Sequence, residues 1–397
     1  MLALQQDEIS PIRIKVIGIG GAGCNAVETM MAAKLVGVEF VVANTDLQSL
    51  TRSSATHRIQ LGPERTKGLG AGARPEIGKE AAVESEGELR EALQGVDMVF
   101  VTAGMGGGTG TGGAPVVASL ARECGILTVG VVTKPFQYEG HRRMDHAEEG
   151  LRELRRHVDS LLIIPNQKLL GFVEKSTPLL EAFKVADDIL RQAIKGISDV
   201  ITTSGVVNVD FADVRTIMCY TGRAVMGMGM AKGANRAREA AQQAMASPLL
   251  EEGGIEGGKG LLLNITGGPN LTLHEVDEAS TIAEEAADDQ ANIIVGQVID
   301  QTLTDEVIVT VIATGFDQQQ EPGAALRAKL KPFGARVGQD RNGISAPRPP
   351  QPVLTTVDLD RPAFERRGKA NGTAVERGNV LMDADWDVPT FLRRKGT

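Results

Sequence analysis

The chain has 397 residues, of which 42% are hydrophobic, 23% charged and 3% aromatic, and its formal net charge is −9. This length and composition indicate a globular protein of two or three domains, and the acidic balance argues against nucleic acid as a partner. The three cysteines, Cys24, Cys124 and Cys219, and the five histidines show no disulfide or metal-ligand spacing, so we expect a reducing compartment and no metal cluster.

The first half of the chain alternates apolar runs with helical patterns. Residues 1–11 are too short and polar for a signal peptide, and no later run reaches the ~20 apolar residues of a membrane span, so we expect a cytoplasmic protein without direct membrane insertion. Buried strands are predicted at 12–19, 39–45, 97–103, 127–133 and 160–166, and helices between them at 112–123 and 141–158. This order indicates a Rossmann-like α/β domain with a parallel sheet over 12–178.

A long amphipathic pattern follows and predicts a central helix over 179–202. Its apolar positions recur at steps of three and four: Phe183, Ala186, Leu190, Ile194, Ile197 and Ile201. Ser176 or Thr177 can cap this helix, and Pro178 suits its first turn. A second α+β domain with a mixed sheet is expected over 203–316, with strands at 218–229, 260–267, 292–299 and 306–315 and helices near 234–246 and 272–287.

The composition changes after residue 316. Residues 317–380 carry 11 Lys and Arg against 7 Asp and Glu, and 7 of the 17 prolines, which predicts a disordered linker. Residues 381–397 regain apolar side chains, including Trp386 and Phe391. An amphipathic island after a linker indicates a peptide that docks on a partner.

The first of two glycine loops is GIGGAG at 18–23, between a predicted strand and a predicted helix. It matches G-x-G-x-x-G, and the acidic Asp46 lies about 20 residues further on. An NAD(P)-dependent oxidoreductase is therefore one hypothesis.

The second glycine loop, GMGGGTGTGG at 104–113, lacks the Lys-Ser/Thr of a P-loop. Its glycines can turn backbone N–H groups toward an anion, Thr109 and Thr111 add hydroxyl donors, and a helix starting near Gly113 adds its dipole. A third glycine segment, at 68–78, also precedes a helical pattern. Three such junctions suit a triphosphate, and without a lysine we expect Mg²⁺ to accompany it.

Longer motifs carry a family resemblance. GGGTGTG at 106–112 resembles the tubulin superfamily signature, and GIGGAGCNAV, NTD at 44–46, GLGAGARPEIG, TKPFQYEGHRRM and NVDFADVR closely resemble the FtsZ family of bacterial cell-division GTPases. This resemblance covers residues 11–316, and DVPTFLRR at 387–394 resembles the family's docking peptide. It implies a GTPase that polymerises head to tail into the division ring at midcell, beneath the inner membrane, with membrane-tethering and regulatory partners bound around Trp386 to Arg394.

The same resemblance implies which residues bind GTP or GDP. It assigns the phosphates to Gly21, Ala22, Gly23, Cys24, Asn25, Gly107, Gly108, Thr109 and Gly110, and γ-phosphate sensing to Ala71, Gly72 and Ala73. It assigns the ribose and phosphate region to Glu139 and Arg143, the guanine to Asn25, Asn166, Phe183 and Asp187, and further contacts to Gly20, Asn44, Asp46, Gly104, Thr111 and Pro135. The i,i+4 spacing of Phe183 and Asp187 puts both on one helix face. By pattern alone Phe183 is more often a core residue than a platform for a base, and the resemblance reverses that preference.

The candidate catalytic residues are Asn208, Asp210 and Asp213, which could orient a water for phosphoryl transfer. From the residues alone, Asp210 could equally cap the next helix, with Asp213 in its first turn. From Asp187 to Ile201 the helix rises ~21 Å, so these acids lie beyond their own nucleotide unless the chain doubles back. They could reach a neighbour's nucleotide in a head-to-tail stack, and the resemblance implies that arrangement.

Two positions depart from the family pattern. Arg74 stands where a smaller or uncharged polar residue is expected, and Gln167 where the family often has Asp. The hypotheses that stay open are a division-ring GTPase, another tubulin-like polymer, the oxidoreductase suggested by GIGGAG and Asp46, and a non-catalytic scaffold.

Overall fold

A computed structural model describes residues 12–171, 173–174, 176–202, 209–220, 222–250 and 254–316. Within these ranges ten strands form one sheet. They are β1 (Ile14–Ile19), β2 (Val38–Asn44), β3 (His57–Gln60), β4 (Met98–Gly104), β5 (Leu127–Lys134), β6 (Ser160–Pro165), β7 (Gly222–Lys232), β8 (Gly260–Gly267), β9 (Asn292–Ile299) and β10 (Glu306–Phe316). Their order in the sheet is β3-β2-β1-β4-β5-β6-β7-β10-β8-β9.

The sheet changes character at β7. Strands β1 to β6 are parallel to their neighbours, and β7 continues them through a short parallel pairing with β6. Strand β10 then runs antiparallel to both β7 and β8, while β9 is parallel to β8. The predicted parallel strands of the first half and mixed strands of the second are confirmed, and the two sets join into one continuous sheet.

Twelve α-helices accompany these strands in the described part of the chain. They are α1 (Gly20–Ala32), α2 (Leu47–Arg52), α3 (Pro63–Thr66), α4 (Pro75–Glu84), α5 (Glu86–Ala92), α6 (Thr109–Glu123), α7 (His141–Arg155), α8 (Asn166–Leu169), α9 (Leu179–Thr202), α10 (Phe211–Met218), α11 (Arg236–Met245) and α12 (Leu273–Ala286). Over the same residues, none combines the length and the apolarity that crossing a bilayer would need.

Helices cover both faces of the parallel strands, so both faces are buried. Because neighbouring residues point to opposite sides of a strand, each strand contributes to two core clusters. In β1, Val16 joins a core cluster with Met30 of α1 and Ile194 of α9. The next residue, Ile17, joins a separate cluster with Val117 of α6 and Leu154 of α7. A third cluster packs α11 and α12 against β8 and β10.

Helix α9 lies at its predicted position, and its apolar stripe is shifted from the predicted one. The buried positions are Ala186, Ile189, Leu190, Ala193, Ile194, Ile197 and Val200. Phe183 is 38% exposed and Ile201 is half-buried. The amide of Asn264 in β8 donates to the carbonyl of Gly196 at 3.0 Å, which ties the middle of α9 to the second half of the sheet.

Several boundaries differ from the sequence-based ones. Helix α6 begins at Thr109 and not near Gly113, and the strand predicted over 218–229 begins at Gly222 because α10 runs through Met218. The edge strand β3 was not predicted, since only one of its four residues is buried. The described residues fall within one compact unit, so the domain limits at 178 and 202 stay predictions. The extension at 1–11, the linker and the docking peptide lie outside the described residues.

Backbone contact between α4 and α6 generates a test of the packing. A Cβ added at Gly112 would come 2.0 Å from the carbonyl oxygen of Pro75 and 2.5 Å from the backbone nitrogen of Lys79. We expect Gly112→Ala to lower the free energy of unfolding by about 1–3 kcal/mol or more, because backbone atoms must separate. Gly87→Ala in α5 is the control, since an added Cβ there meets no described atom within 4 Å.

The free energy of unfolding of the control variant Gly87→Ala should rise by about 0.5–1 kcal/mol, because alanine loses less backbone entropy than glycine when it enters a helix. Urea unfolding of both variants beside the parent protein measures the two effects. Similar unfolding midpoints for Gly112→Ala and Gly87→Ala would contradict the close approach of α4 to α6.

Candidate functional site

The expected site loops meet at the carboxyl edge of the parallel strands. The chain leaves β1 at Gly20, β2 at Thr45, β4 at Met105, β5 at Pro135 and β6 at Asn166. The two glycine loops follow β1 and β4, which are adjacent in the sheet and are where the strand order reverses. In open α/β sheets this crevice is where ligands bind.

The backbones of the two glycine loops touch each other. A Cβ at Gly20, whose φ is +72°, would lie 2.9 Å from the backbone nitrogen of Gly110, and one at Gly110 would lie 2.8 Å from the carbonyl oxygen of Gly104. At Gly21 and Gly107, by contrast, an added Cβ would meet no described atom within 4 Å. Glycine is therefore required where the loops contact, and the free sides of the loops face open space.

Helices α1 and α6 begin at these loops without capping side chains. Their N-cap positions, Ile19 and Gly108, make no side-chain cap hydrogen bond, and neither first turn contains an acidic residue. The first N–H groups of a helix have no partner within the helix and carry the positive end of its dipole. Two such ends side by side suit a phosphate-bearing anion. The glycine loops at 18–23 and 104–113, together with these helix ends, are called the cradle below.

The hydroxyl groups of both threonines in the second glycine loop form hydrogen bonds within the protein. The hydroxyl oxygens of Thr109 and Thr45 are hydrogen-bonded at 2.6 Å. Thr111 is 2% exposed, and its hydroxyl oxygen accepts from the backbone N–H of Gly106 at 2.8 Å. The side chain of Thr111 is thus buried and helps to shape the loop, while its own hydroxyl hydrogen is left to donate, so its expected contact with the ligand stays a prediction.

The segment expected to sense the γ-phosphate closes one side of this cradle. Its backbone is left-handed at Gly70, Gly72 and Ala73, with φ of +86°, +58° and +57°. Ala73 carries a Cβ, so it is held in a conformation that costs of order 1–3 kcal/mol and that clusters at ligand sites. A Cβ at Gly108 would lie 2.8 Å from the Cβ of Ala71, so this segment packs directly on the phosphate loop.

Cys24, Asn44 and Asp46 support the cradle. Burial raises the pKa of the Cys24 thiol to about 12, and the amide of Asn44 lies 3.9 Å from its sulfur. The Asp46 carboxylate accepts from the backbone of Gln48 at 3.0 Å and from the Ser49 hydroxyl at 2.7 Å. The Ser49 hydrogen bond lowers the pKa of Asp46, and Asp46 serves as the N-cap of α2.

Unpaired polar groups mark the far end of the site. Asn166 is 7% exposed, and its buried Oδ1 has no hydrogen-bond partner among the described residues. Burial raises the pKa of Asp187 to about 7, with no ion pair to offset it in the described ranges. Phe183 stands edge-on to Phe136, with ring centroids 5.7 Å apart. An exposed ring beside unpaired acceptors suits a planar base that donates hydrogen bonds.

The loop after β5 lies between the cradle and Phe183. Glu139 accepts from the backbone N–H of Phe136 at 2.8 Å and forms an ion pair with Arg143 at 3.0 Å. Pro135 is buried, and Asn25 is exposed on α1. The Gln167 side chain accepts from the backbone of Gln137 at 3.2 Å, so this departure from the family pattern braces the same loop.

The candidate catalytic acids lie at the opposite edge of the sheet. Asp210 occupies the N-cap position of α10 but makes no cap hydrogen bond there, and Asp210 and Asp213 are both exposed. In the same helix, Arg215 donates to the carbonyl of Gly125 at 3.3 Å, just before β5 begins. Asn208 lies outside the described residues.

Two further contacts place the neighbourhood of these acids at the amino edge. Thr202, the last residue of α9, touches Gly37 just before β2, where a Cβ would come within 2.8 Å of the threonine Cβ. Burial, and then the carboxylate of Asp159 just before β6, raise the pKa of the Cys219 thiol. Strands of six to eight residues separate the two edges by about 20 Å or more.

Comparisons with known proteins agree with this geometry. The family model described as Tubulin/FtsZ family, GTPase domain matches residues 13–174, and that of the FtsZ family, C-terminal domain, matches residues 222–317. The chain is 50% identical over 384 residues to "Cell division protein FtsZ" of Azotobacter vinelandii, covering 96% of each protein.

Solved structures match over most of the chain. An FtsZ dimer of M. jannaschii superposes with a TM-score of 0.75 and 45% identity, covering 78% of this chain and 89% of that one. CetZ2 of Haloferax volcanii, a GTPγS-bound protofilament, gives a TM-score of 0.65 at 21% identity over 80% and 97% of the two chains. This last likeness concerns the fold alone.

The raised pKa of Asp187 generates a prediction for the ligand-free protein. Its folded-state pKa is about 7, against ~3.9 for an ordinary aspartate. Between these values the folded state holds a proton that the unfolded chain has released, so stability falls as the pH rises through this window. The amide side chain of the variant Asp187→Asn cannot ionise. The free energy of unfolding of this variant relative to the parent should therefore increase by on the order of 2 kcal/mol from pH 5 to pH 8.

Urea unfolding at both pH values measures this difference. Asp188→Asn is the matched control, because Asp188 is already bonded to Arg191 at 2.6 Å and Gln192 at 2.5 Å and should show no such gain. A constant stability difference between Asp187→Asn and the parent at the two pH values would show that this carboxyl does not titrate in the window.

Proposed function

The chain belongs to the tubulin/FtsZ family, and on that basis we propose that it binds GTP, hydrolyses it to GDP and phosphate, and polymerises head to tail into the filaments of the bacterial division ring. The observation that carries this proposal is the separation of the cradle from the acids. A complete GTPase site then needs two subunits. Hydrolysis is thereby coupled to assembly.

The cradle suits the triphosphate. Backbone N–H groups at the N-termini of α1 and α6 and in both glycine loops can donate to the phosphates. The Ala71–Gly72–Ala73 segment packs on the second glycine loop, in a position to contact the terminal phosphate. Ordered backbone amides in a fixed position stabilise developing charge without reorganising. These residues bind and orient the substrate, and they offer no acid or base for the chemistry.

Guanine fits the polar groups at the other end. An ionised Asp187 accepts from two adjacent N–H donors of guanine, the Asn166 amide supplies a further hydrogen-bonding group, and Phe183 offers its face for stacking. Adenine lacks this pair of donors, so it would leave the half-buried Asp187 carboxylate unpaired. We therefore assign Asn25, Asn166, Phe183 and Asp187 to base recognition, and Glu139 and Arg143 to the ribose region.

Asp210 and Asp213 would complete the site of the next subunit. Both are exposed at the amino edge, and the cradle opens at the carboxyl edge, so stacking one subunit on another brings unlike surfaces together. Such a contact is heterologous and extends into a filament unless it closes into a ring. The acids would orient the attacking water, with Asn208 beside them, and loss of the γ-phosphate would weaken the contact.

Magnesium is part of the proposal. The described residues contain no group of three His, Cys, Asp or Glu that could hold a metal ion. Mg²⁺ commonly binds through substrate phosphates and water with only one or two protein ligands, so the site fits an ion that arrives on the nucleotide. Its role there would be to neutralise phosphate charge.

The tail would connect filaments to other division proteins. We propose residues 317–380 as a linker and 381–397 as the peptide that docks membrane-tethering and regulatory partners at midcell, beneath the inner membrane. These residues lie outside the described part of the chain. The support is the motif DVPTFLRR and the apolar side chains around Trp386.

The shared site predicts how removal of one acid separates assembly from chemistry. Asp213→Ala should still bind GTP and form polymer, because Asp213 is far from its own cradle, while phosphate release falls by about 100-fold or more. Asp277→Ala removes a similarly exposed acid from α12 and should leave turnover unchanged. Pelleting and phosphate release are measured on the same samples, and parental turnover in Asp213→Ala would refute the assignment.

A further inference from the structure

A cavity of about 1120 Å³ adjoins the loop after β5. Helix α7 forms one wall, the ends of β5 and β6 form another, and Arg223 at the start of β7 lies at its border. Its volume lies just above the ~300–1,000 Å³ that is typical of small-molecule sites. Pro135 is the one lining residue that is also assigned to the nucleotide, and the proposed hydrolysis of GTP uses none of the others.

The lining of this cavity is basic although the protein as a whole is acidic. Lys134, Arg152, Arg155 and Arg223 line it together with His141, and Glu148 is the one acid among the lining residues. Glu148 is paired with Lys134. In a chain of net charge −9, a concave surface with this excess of cations concentrates positive potential.

Two arginines of α7 hold unused donors. The Nε of Arg155 is buried and has no hydrogen-bond partner within the described ranges, an arrangement that costs free energy until an acceptor arrives. Arg152, one turn earlier on the same helix face, makes no ion pair with any described residue. A planar guanidinium matches phosphate or carboxylate oxygens through paired hydrogen bonds.

Part of the lining of the cavity is apolar. Met144, Leu151 and Ile163 contribute to the lining, and Leu151 is 4% exposed. The arginines can hold a phosphate group by themselves, and a metabolite that also has an apolar or planar part would cover the apolar residues as well. We propose that this cavity binds a small organic phosphate, held by Arg152 and Arg155, at a site separate from the GTP cradle.

The test uses inorganic tripolyphosphate as the probe and isothermal titration calorimetry on the full chain saturated with GDP, which occupies the cradle. Arg152→Gln and Arg155→Gln remove one donor group each. Arg156→Gln is the matched control, since Arg156 is the next residue, is 73% exposed and pairs with Glu153 outside the cavity. Thermal unfolding checks that each variant is folded, and Arg152→Gln, at an exposed residue, keeps the test valid if Arg155→Gln does not fold.

We expect the parent protein and Arg156→Gln to bind the probe alike, and the Arg152 variant and any folded Arg155 variant to bind it about tenfold or more weakly, as expected for a lost charged hydrogen bond. No binding to the GDP-saturated parent, or equal affinity in Arg152→Gln and Arg156→Gln, would overturn the proposal. Binding of an acidic peptide such as oligoglutamate without binding of tripolyphosphate would also overturn it. GDP is titrated into the parent protein before the probe, so failure of the proposed nucleotide site would appear separately there, as absence of GDP binding.

Discussion

The parallel sheet holds the nucleotide cradle at one edge and Asp213 at the other, and the functional account depends on this separation. Helix α6 begins in the cradle at Thr109 and ends at Glu123, beside the Gly125 carbonyl that Arg215 contacts. Its 15 residues rise ~22 Å. Helix α9 makes the same crossing on the other face, from its first turns near Phe183, which we propose to bind the base, to Thr202 at the amino edge. These two packed helices hold Asp210 and Asp213 away from the proposed phosphate cradle of their own subunit.

The cradle is built from backbone, and this explains its composition. Gly20, Gly110 and Gly112 lie where another backbone segment passes within contact distance of the missing Cβ. The helix ends so formed have no capping side chains. Within the described part of the chain, Asp187 is half-buried without an ion pair, and the buried Oδ1 of Asn166 has no hydrogen-bond partner. Unpaired polar groups cost stability in the free protein. A nucleotide would satisfy them, so the same groups connect ligand binding to folding stability.

Much of this arrangement follows from local sequence patterns. Long apolar runs predicted nine of the ten strands described, and the period of α9 predicted its limits. The misses have local causes: β3 is a polar edge strand, and glycine and threonine hid the first turn of α6, where helix propensity is low. The burial of Thr111 depends on a tertiary neighbour, Gly150 of α7, which packs against it. The capping role of Asp46 rests on local hydrogen bonds with Gln48 and Ser49, so the sequence could have indicated it. The position of Asp213 relative to the cradle was predicted from helix length, and the contacts of Thr202, Arg215 and Cys219 place it in the fold.

A mixing experiment tests the shared site most directly. Gly107→Asp would place a negative charge in the cradle where a side chain has room, so this subunit should fold but not hold GTP, and Asp213→Ala should hold GTP without cleaving it. Each variant alone should release little phosphate. An equimolar mixture should recover turnover, because the Gly107→Asp subunit supplies Asp213 to GTP bound on its neighbour. A mixture that forms joint polymers yet stays as inactive as its components would contradict the account.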